Sequence, residues 1–377
     1  MTKKITLFNQ VAGPLFIDIA NVFAEEYDEV ILVTGNIEPT YARLDNNIKV
    51  VKKVKYRRNR PYLRIITWLI FFVQSFLYVL RNNKHGKILL VTNPPLLPFL
   101  GLFFSKKKML HFSILVYDIY PDALLNFGYL KKSSPVYKLW CSLNEKSFKL
   151  SSEVVTISNV MKNILANSVD EDKIKVIYPW VDNSFIKPVN RNDNWFLKKN
   201  GLLNKKVILY SGNMGLTHDL MTVLKAAKDL QEITSYFHFL FIGNGPQKQN
   251  LIKYQKINKL LNVSFLPYQD PEVLPFSFAS ADFGIVTLGT GAEGLSVPSK
   301  TFYLLSAGSA IIAISESGSE IEKLINDNDC GISIKPKDKE SLIDFLLNSD
   351  EKDINRYKYN SRILSKKFTN NNAKQFL

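Results

Sequence analysis

The chain is predicted to fold as α/β, with two doubly wound domains, and three features carry that expectation. Near-continuous apolar runs such as KILLVTNPP (87–95) and HFSILVYDIYP (111–121) end at polar residues or Pro, as parallel strands buried on both faces do. These runs alternate with helix-like stretches of about ten residues or more, the pattern of βαβ units. The alternation then restarts after VDNSFIKPVNRNDN (181–194), a stretch rich in Asn, Asp and Pro, which reads as a linker. The boundary is placed near residue 187, giving an N-terminal domain of 1–187 and a C-terminal domain of 188–377. Ligands of such folds sit at the carboxyl ends of the strands, here expected in a cleft between the domains.

In the first half, KITLF (4–8) is a strand, NQVAG (9–13) a turn, and Pro14 to Tyr27 a helix. EVILVTG (29–35), the two runs quoted above, SEVVTIS (152–158) and KIKVIYP (173–179) supply further strands. In the second half, KKVILYSGNMG (205–215) is a strand and glycine turn, followed by a helix over about 219–233. FHFLFIGNGPQK (237–248) repeats the pattern, and NVSFLPYQD, ADFGIVTL and SAIIAIS add short strands. The tail carries helix periodicity in Tyr357, Ile363, Leu364 and Phe368. It is either the last helix of the second domain or a segment that crosses back to the first.

With 377 residues, the chain is long enough for a sizeable core in each domain. Hydrophobic residues at 46% and charged residues at 22% exclude disordered and collagen-like classes. Lys and Arg number 49 against 34 Asp and Glu, a net +15 that favours an anionic partner: nucleic acid, an acidic membrane or a phosphorylated substrate. The two cysteines, Cys141 and Cys330, are far apart and form no CxxC or Cys/His cluster, which argues against a disulfide framework and structural zinc. MTKKITLFNQVAG has no long apolar core of a secretory signal, so a cytosolic, reduced protein is expected.

Segment 57–84 complicates that expectation. Its 16 residues from Ile65 to Leu80 are interrupted only by Thr67, Gln74 and Ser75. As a helix they cover roughly 24 Å, short of a hydrocarbon core of about 30 Å. The segment reads as a buried core helix or as a helix in the membrane interface, rather than as a span. For the interfacial reading, Trp68 and Tyr78 suit the headgroup zone, and Arg57, Arg58, Arg60 and Arg64 suit anionic lipid. PPLLPFLGLFFSKKK (94–108) also ends in lysines. Two apolar segments flanked by cations favour surface attachment.

Three turns in the second half and one in the first are candidates for chemistry. In YSGNMGLTHDL, Gly212 and Gly215 flank Asn213 between a strand and a helix; this is an anion-binding arrangement or a plain tight turn. In FIGNGPQKQ, Gly243-x-Gly245 is followed by Pro246 without a third glycine at dinucleotide spacing, so a nicotinamide dehydrogenase fits poorly. Lys248 either reaches a phosphate or is solvated. In GAEGLSVPSKTFYLLSAGSAII (291–312), glycines 289, 291 and 294 surround Glu293 and allow close approach to backbone. Ser299 is in position to cap the next helix, and Lys300 stands in its first turn. There it opposes the helix dipole, tolerable on a solvated surface but also suited to a diphosphate. In VYDIYPDALLNFGYL, Asp118 ends a strand, and Asp122 either serves the site or caps the helix after Pro121.

Taken in order, these motifs resemble the retaining glycosyltransferases of family 4, and in particular the branch that assembles bacterial surface polysaccharides (O-antigen, capsule or exopolysaccharide) on a lipid carrier. TNPPLLPFLGLFF and YDIYPDALLNFG are similar to its Pro-rich turn and Asp-x-x-Pro-acid motif. VVTISNVMK and KVIYPWVDNSFIKP resemble the end of its first domain. ILYSGNMGLTHDL, FIGNGPQKQNL, NVSFLPYQD, ASADFGIVTL, GLSVPSKTFYLLSAG and CGISIKP resemble its nucleotide-sugar-binding domain. The likeness spans nearly the whole chain.

The resemblance implies the GT-B fold, with an acceptor domain followed by a donor domain. The implied reaction moves a sugar, with retained anomeric configuration, from a nucleotide-diphosphate donor to a hydroxyl of a saccharide on polyprenyl diphosphate. No metal or other cofactor is implied, and NDND (326–329) reads as a turn. The diphosphate would lie against Gly212, Gly215 and Lys300, and Tyr268 would line the base. Asn213, His218, Gly243, Lys248, Gly294 and Ser299 would complete the donor site. Glu293 would contact the donor sugar, and Asp118 would act on the acceptor side or bind sugar. The expected location is cytoplasmic and peripheral on the inner face of the membrane, without nucleic acid.

Two departures stand out. Family members often carry a second glutamate eight residues after the first, where this chain has Thr301; the alternative position is Tyr303. Many also place a Lys or Arg after the first glycine turn, where this chain has Leu216, Thr217 and His218. His218 then either bonds the donor or caps a helix. A catalytically inactive basic binding protein on the same scaffold is the competing reading, and a sugar-nucleotide epimerase is the competing enzyme.

Overall fold

The computed structural model describes residues 3–38, 40–57, 60–82, 86–108, 111–125, 128, 130–289 and 291–377. The chain divides into two compact units, Met1–Tyr178 with Asn371–Leu377, and Pro179–Asn370. The Asn/Asp/Pro-rich stretch lies within the second unit. Of the tail, the helix Glu351–Ser365 stays with the second unit, and the terminal residues from Asn371 belong to the first.

Among the described residues, unit 1 holds a seven-stranded sheet. In chain order its strands are β1 (Lys4–Phe8), β2 (Glu29–Thr34), β3 (Lys49–Lys52), β4 (Lys87–Val91), β5 (His111–Val116), β6 (Glu153–Thr156) and β7 (Ile174–Val176). They lie in the order β3-β2-β1-β4-β5-β6-β7, all parallel. The neighbours Leu7 and Phe8, Leu89 and Leu90, and Ile114 and Leu115 point to opposite faces and are all buried, which is why the strands read as unbroken apolar runs. The helices of this unit are α1 (Pro14–Glu26), α2 (Pro61–Arg81), α3 (Pro98–Lys108), α4 (Pro135–Leu150) and α5 (Asn159–Leu165). α1, α2 and α4 each begin with Pro in the first turn, where the missing N–H is not required.

Unit 2 repeats the plan in six strands: β8 (Lys206–Asn213), β9 (Phe237–Asn244), β10 (Val263–Leu266), β11 (Phe283–Thr287), β12 (Ala310–Ile314) and β13 (Gly331–Ile334). Their order is β10-β9-β8-β11-β12-β13, again parallel throughout. Its longer helices are α6 (Leu220–Ile233), α7 (Lys248–Ile257), α8 (Lys300–Ala307), α9 (Glu320–Asp327), α10 (Lys339–Asn348) and α11 (Glu351–Ser365). The core joins Tyr210, Phe239, Phe241, Phe283 and Ile312 of the sheet to Val223, Ala227 and Leu230 of α6 and to Leu342 of α10.

In both units the strand order reverses between the first and fourth strands. Reversal sends the flanking connections to opposite sides and opens a crevice beyond the carboxyl ends of those strands. In unit 2 that crevice lies beyond β8 and β11, at the YSGNMG turn and the loop carrying Glu293.

Segment 57–84 turns out to be two-faced. Over Pro61–Arg81 it forms one helix of 21 residues. Phe71, Ser75 and Val79 face the protein and are buried, whereas Ile65, Ile66, Leu69, Ile70, Val73, Leu77 and Leu80 form an exposed stripe. The helix is long and apolar enough to cross a membrane by length and composition, with 28% of its apolar window buried. Trp68, expected at the headgroup level, is instead buried, and Tyr78 packs edge-on against Phe8 of β1. Arg58 lies outside the described residues.

Candidate functional site

The first glycine turn closes β8 in unit 2. Gly212 and Asn213 end the strand, paired in register with Gly243 and Asn244 of β9. Gly243 has a φ of +133°, and a Cβ there would lie 2.0 Å from the Gly212 carbonyl oxygen. It thus serves the approach of two strand ends rather than of a ligand. Lys248, expected at a phosphate, is turned inward: its Nζ donates to the carbonyls of Gly243 at 2.7 Å and Leu266 at 3.4 Å.

Lys300 differs. It opens α8, yet its side chain does not run into solvent: Nζ lies 3.9 Å from the centre of the Tyr210 ring and over Gly212. Nζ is buried with no hydrogen-bond partner among the described residues. Burial lowers its pKa from 10.5 to about 7, because a desolvated ammonium without a counter-charge is disfavoured. The solvated-surface reading of Lys300 is therefore corrected: the amine is buried at the end of β8.

His218 is drawn into the same cluster. Its Nδ1 is 2.7 Å from the Tyr210 hydroxyl and 3.0 Å from the Asn213 carbonyl, while that hydroxyl also donates to Asn213 O at 2.5 Å. A carbonyl only accepts, so Nδ1 carries the proton and Nε2 is left as an acceptor. Burial, with Lys300 acting in the same direction, lowers the His218 pKa to about 4, and the ring is neutral near pH 7. His218 does not cap α6; Asp219 does, accepting from Thr222 N at 3.4 Å. Gln247, absent from the sequence reading, holds the turn by donating from Nε2 to the carbonyls of Gly215 and, at 2.8 Å, of His218. A cavity of about 240 Å³ lies alongside, lined by Thr217, His218, Gln247 and Leu288 among others.

The loop after β11 packs onto this turn at Gly289, where a Cβ would meet the Thr217 Cβ at 2.4 Å. Gly289 thereby brings the Glu293 loop against the Gly215–His218 turn. Glu293 accepts from the Gly291 amide at 2.7 Å, so its carboxylate stiffens the loop that carries it; Gly294 lies in the same loop. Ser299 occupies the N-cap position of α8 with helical φ and ψ and makes no side-chain capping bond, correcting the expectation of a cap. Thr301 is buried, its hydroxyl without a hydrogen-bond partner among the described residues, and Tyr303 stacks on Phe278 with centroids 5.1 Å apart. Burial raises the Tyr210 pKa, and Tyr268, itself exposed, lies near enough to raise it further.

In unit 1, Asp118 follows β5. Burial pushes its carboxyl from 3.8 up to about 6, with Arg64 pulling the other way. Asp122 makes no capping bond and instead accepts from the Tyr137 hydroxyl at 2.8 Å. Among the described residues no group of three or more His, Cys, Asp or Glu side chains could hold a metal ion. Asp329 of the NDND stretch adopts a φ of +47° and accepts from Arg356 at 2.8 Å, as a turn residue does.

Residues 193–363, which lie within unit 2, match the family model described as glycosyl transferases group 1. The chain is 27% identical over 297 residues to WbjE of Pseudomonas aeruginosa, a probable glycosyltransferase, covering 76% of this chain and 73% of WbjE. To WcaI of Escherichia coli, a putative colanic acid biosynthesis glycosyl transferase, it is 27% identical over 234 residues, 60% of this chain and 57% of WcaI. Among solved structures, sucrose-phosphate synthase of Thermosynechococcus elongatus superposes with a TM-score of 0.76 at 13% identity, over 99% of this chain and 97% of the other. HepE of Anabaena in complex with UDP-glucose superposes with a TM-score of 0.72 at 15% identity, over 99% and 97%. The two parallel sheets and these superpositions make the fold GT-B.

Proposed function

We propose that this chain, with its group 1 glycosyltransferase domain, transfers a sugar from a nucleotide-diphosphate donor to a hydroxyl of a lipid-linked saccharide. The transfer retains anomeric configuration, needs no metal, and serves bacterial surface polysaccharide biosynthesis. The observation that carries the reading is Lys300: a buried amine with no hydrogen-bond partner among the described residues, at the strand-end reversal of unit 2. A diphosphate arriving there supplies the missing counter-charge and restores the proton that burial disfavours. Stabilising the departing diphosphate is the chief electrostatic demand of the reaction. Neutral His218 offers Nε2 to a donor hydroxyl, and Glu293 is assigned to the donor sugar. HepE, whose structure holds UDP-glucose, makes that compound the first donor to try.

We further assign the enzyme to the inner face of the membrane. Ile65, Ile66, Leu69, Ile70, Val73 and Leu77 form an exposed stripe on α2, and Arg57, Arg60 and Arg81 are exposed at its two ends. Aliphatic side chains between cations match an anionic lipid surface. The buried opposite face of α2 favours lying on the membrane over crossing it. Carbonate or high salt should release the protein; retention that only detergent reverses would refute peripheral attachment.

The transfer reading is tested with a panel of nucleotide sugars, with and without a polyprenyl-diphosphate-linked saccharide. Acceptor-dependent release of nucleotide diphosphate, unaffected by chelator, is expected, and the anomer of the product read by NMR checks retention. No release with any donor would favour the inactive binding protein.

A further inference from the structure

Unit 1 contains a second cluster of unmet polar groups, and its composition specifies what it binds. Arg64 and Trp68 stand one turn apart on α2, opposite the exposed stripe, with the guanidinium 4.7 Å from the Trp68 ring. Trp68 is 6% exposed and meets Tyr120 edge-on at 6.2 Å. Tyr120 in turn stacks on Trp140 of α4 at 6.4 Å. Tyr56 covers the other side of Trp68 at 6.2 Å. Into this aromatic setting the strand end of β5 delivers Asp118.

Three N–H groups of the cluster, Arg64 Nε, Trp68 Nε1 and Trp140 Nε1, are buried without a hydrogen-bond partner among the described residues. Asp118 has the converse deficit: no side-chain or backbone donor among the described residues hydrogen-bonds its carboxyl group. Buried donors and acceptors are normally paired, and groups left unpaired at one place require an explanation. A free phosphate would take the N–H donors but meet repulsion from Asp118. A cation would satisfy Asp118 and leave the N–H groups unmet. A hydroxyl both donates and accepts, and adjacent hydroxyls on one ring serve both deficits together.

We propose that Asp118, Arg64, Trp68 and Trp140 form a binding subsite for a neutral, polyhydroxylated sugar ring, the terminal unit of the acceptor saccharide. The proposal rests on the transferase reading above, and it sharpens that reading by excluding an acceptor end unit that carries carboxylate or phosphate at this position. Asp118 accepts from a sugar hydroxyl, the indole and guanidinium N–H groups donate to its neighbours, and the aromatic walls contact its C–H faces.

Saturation-transfer NMR on the full chain tests this with methyl glucoside, methyl galactoside, methyl mannoside and N-acetylglucosamine, against glucuronate and glucose 1-phosphate. At least one neutral sugar is expected to bind, with the acidic ones at least tenfold weaker. Asp118→Asn, which keeps shape, and Trp68→Phe, which keeps a ring but removes the N–H, should each weaken that binding about tenfold. Their thermal shift with UDP should equal that of the natural chain. Circular dichroism checks that Trp68→Phe folds; should it not, Asp118→Asn alone decides. Neutral-sugar binding unchanged by Asp118→Asn, preference for an acidic sugar, or acceptor-dependent transfer with an unchanged acceptor KM would each overturn the subsite. Sugar binding that behaves as expected, with no diphosphate released from any donor, would instead sink the transferase reading and leave the subsite standing.

Discussion

The strand ends of the two units share one topology and differ in chemistry. Beyond β8 the chain places glycine, a buried amine and a neutral imidazole; beyond β5 it places a carboxyl group among indoles and a guanidinium. Both sites hold groups whose charged form is disfavoured by burial, but of opposite sign. Lys300 is held down to about 7 and Asp118 is held up to about 6. On the readings proposed above, the first suits an anion and the second a neutral donor of hydrogen bonds, a contrast that rests on local charge.

The largest effect expected is that of Glu293→Ala, which should lower kcat roughly 10²–10³-fold with the fold intact, since a group acting on the reacting sugar counts most in the transition state. A steady-state rate near that of the natural chain would remove Glu293 from the site. Next comes Lys300→Met. It should weaken nucleotide diphosphate binding about 10–100-fold by calorimetry without lowering the melting temperature, because it also removes a buried, unpaired amine. Unchanged binding would erase the electrostatic contrast between the two regions.

The pH dependence should separate the regions by sign. Between about 7 and 10.5 the unfolded chain holds a proton that folded Lys300 has released, so its contribution makes stability rise with pH. Between 3.8 and about 6 folded Asp118 keeps a proton that the unfolded chain has lost, so its contribution makes stability fall as pH rises. Lys300→Met should flatten the first slope and Asp118→Asn the second, read by denaturant unfolding across pH. Donor affinity should also decline above about 7, by at most about tenfold per pH unit, since binding then requires proton uptake.

The smallest effect concerns the outer face of α2. Ile66→Ser with Leu69→Ser should alter stability by only about 0.5 kcal/mol. The same change should reduce partition onto anionic vesicles by roughly tenfold. A large loss of stability instead would mean that the stripe is covered by protein.

How far the site was legible depended on the residue. Glu293, Lys300 and Asp118 stood out because charged side chains next to glycine or at strand ends are unusual against apolar runs. Lys248 and Gly243 matched the same local pattern, yet the first binds carbonyls and the second clears the neighbouring strand; spacing cannot distinguish a backbone partner from a ligand. Gln247, Tyr210 and Trp140 left no signal, since each matters through neighbours distant in sequence. Arg64, expected at anionic lipid, is instead turned onto Trp68 and towards Asp118. Trp68 misled in the other direction: its amphipathic ring fitted a headgroup, but helical phase turned it inward.

By itself the sequence determined the two α/β repeats, because burial on both faces of a parallel strand demands unbroken apolar runs and the turns between them demand Gly, Asn and Pro. It also determined the charges available for chemistry. Which charges are desolvated was decided only by tertiary structure. A pKa, an unmet N–H or an exposed stripe depends on what the rest of the chain places within a few ångströms, and only the strand order brings those groups together.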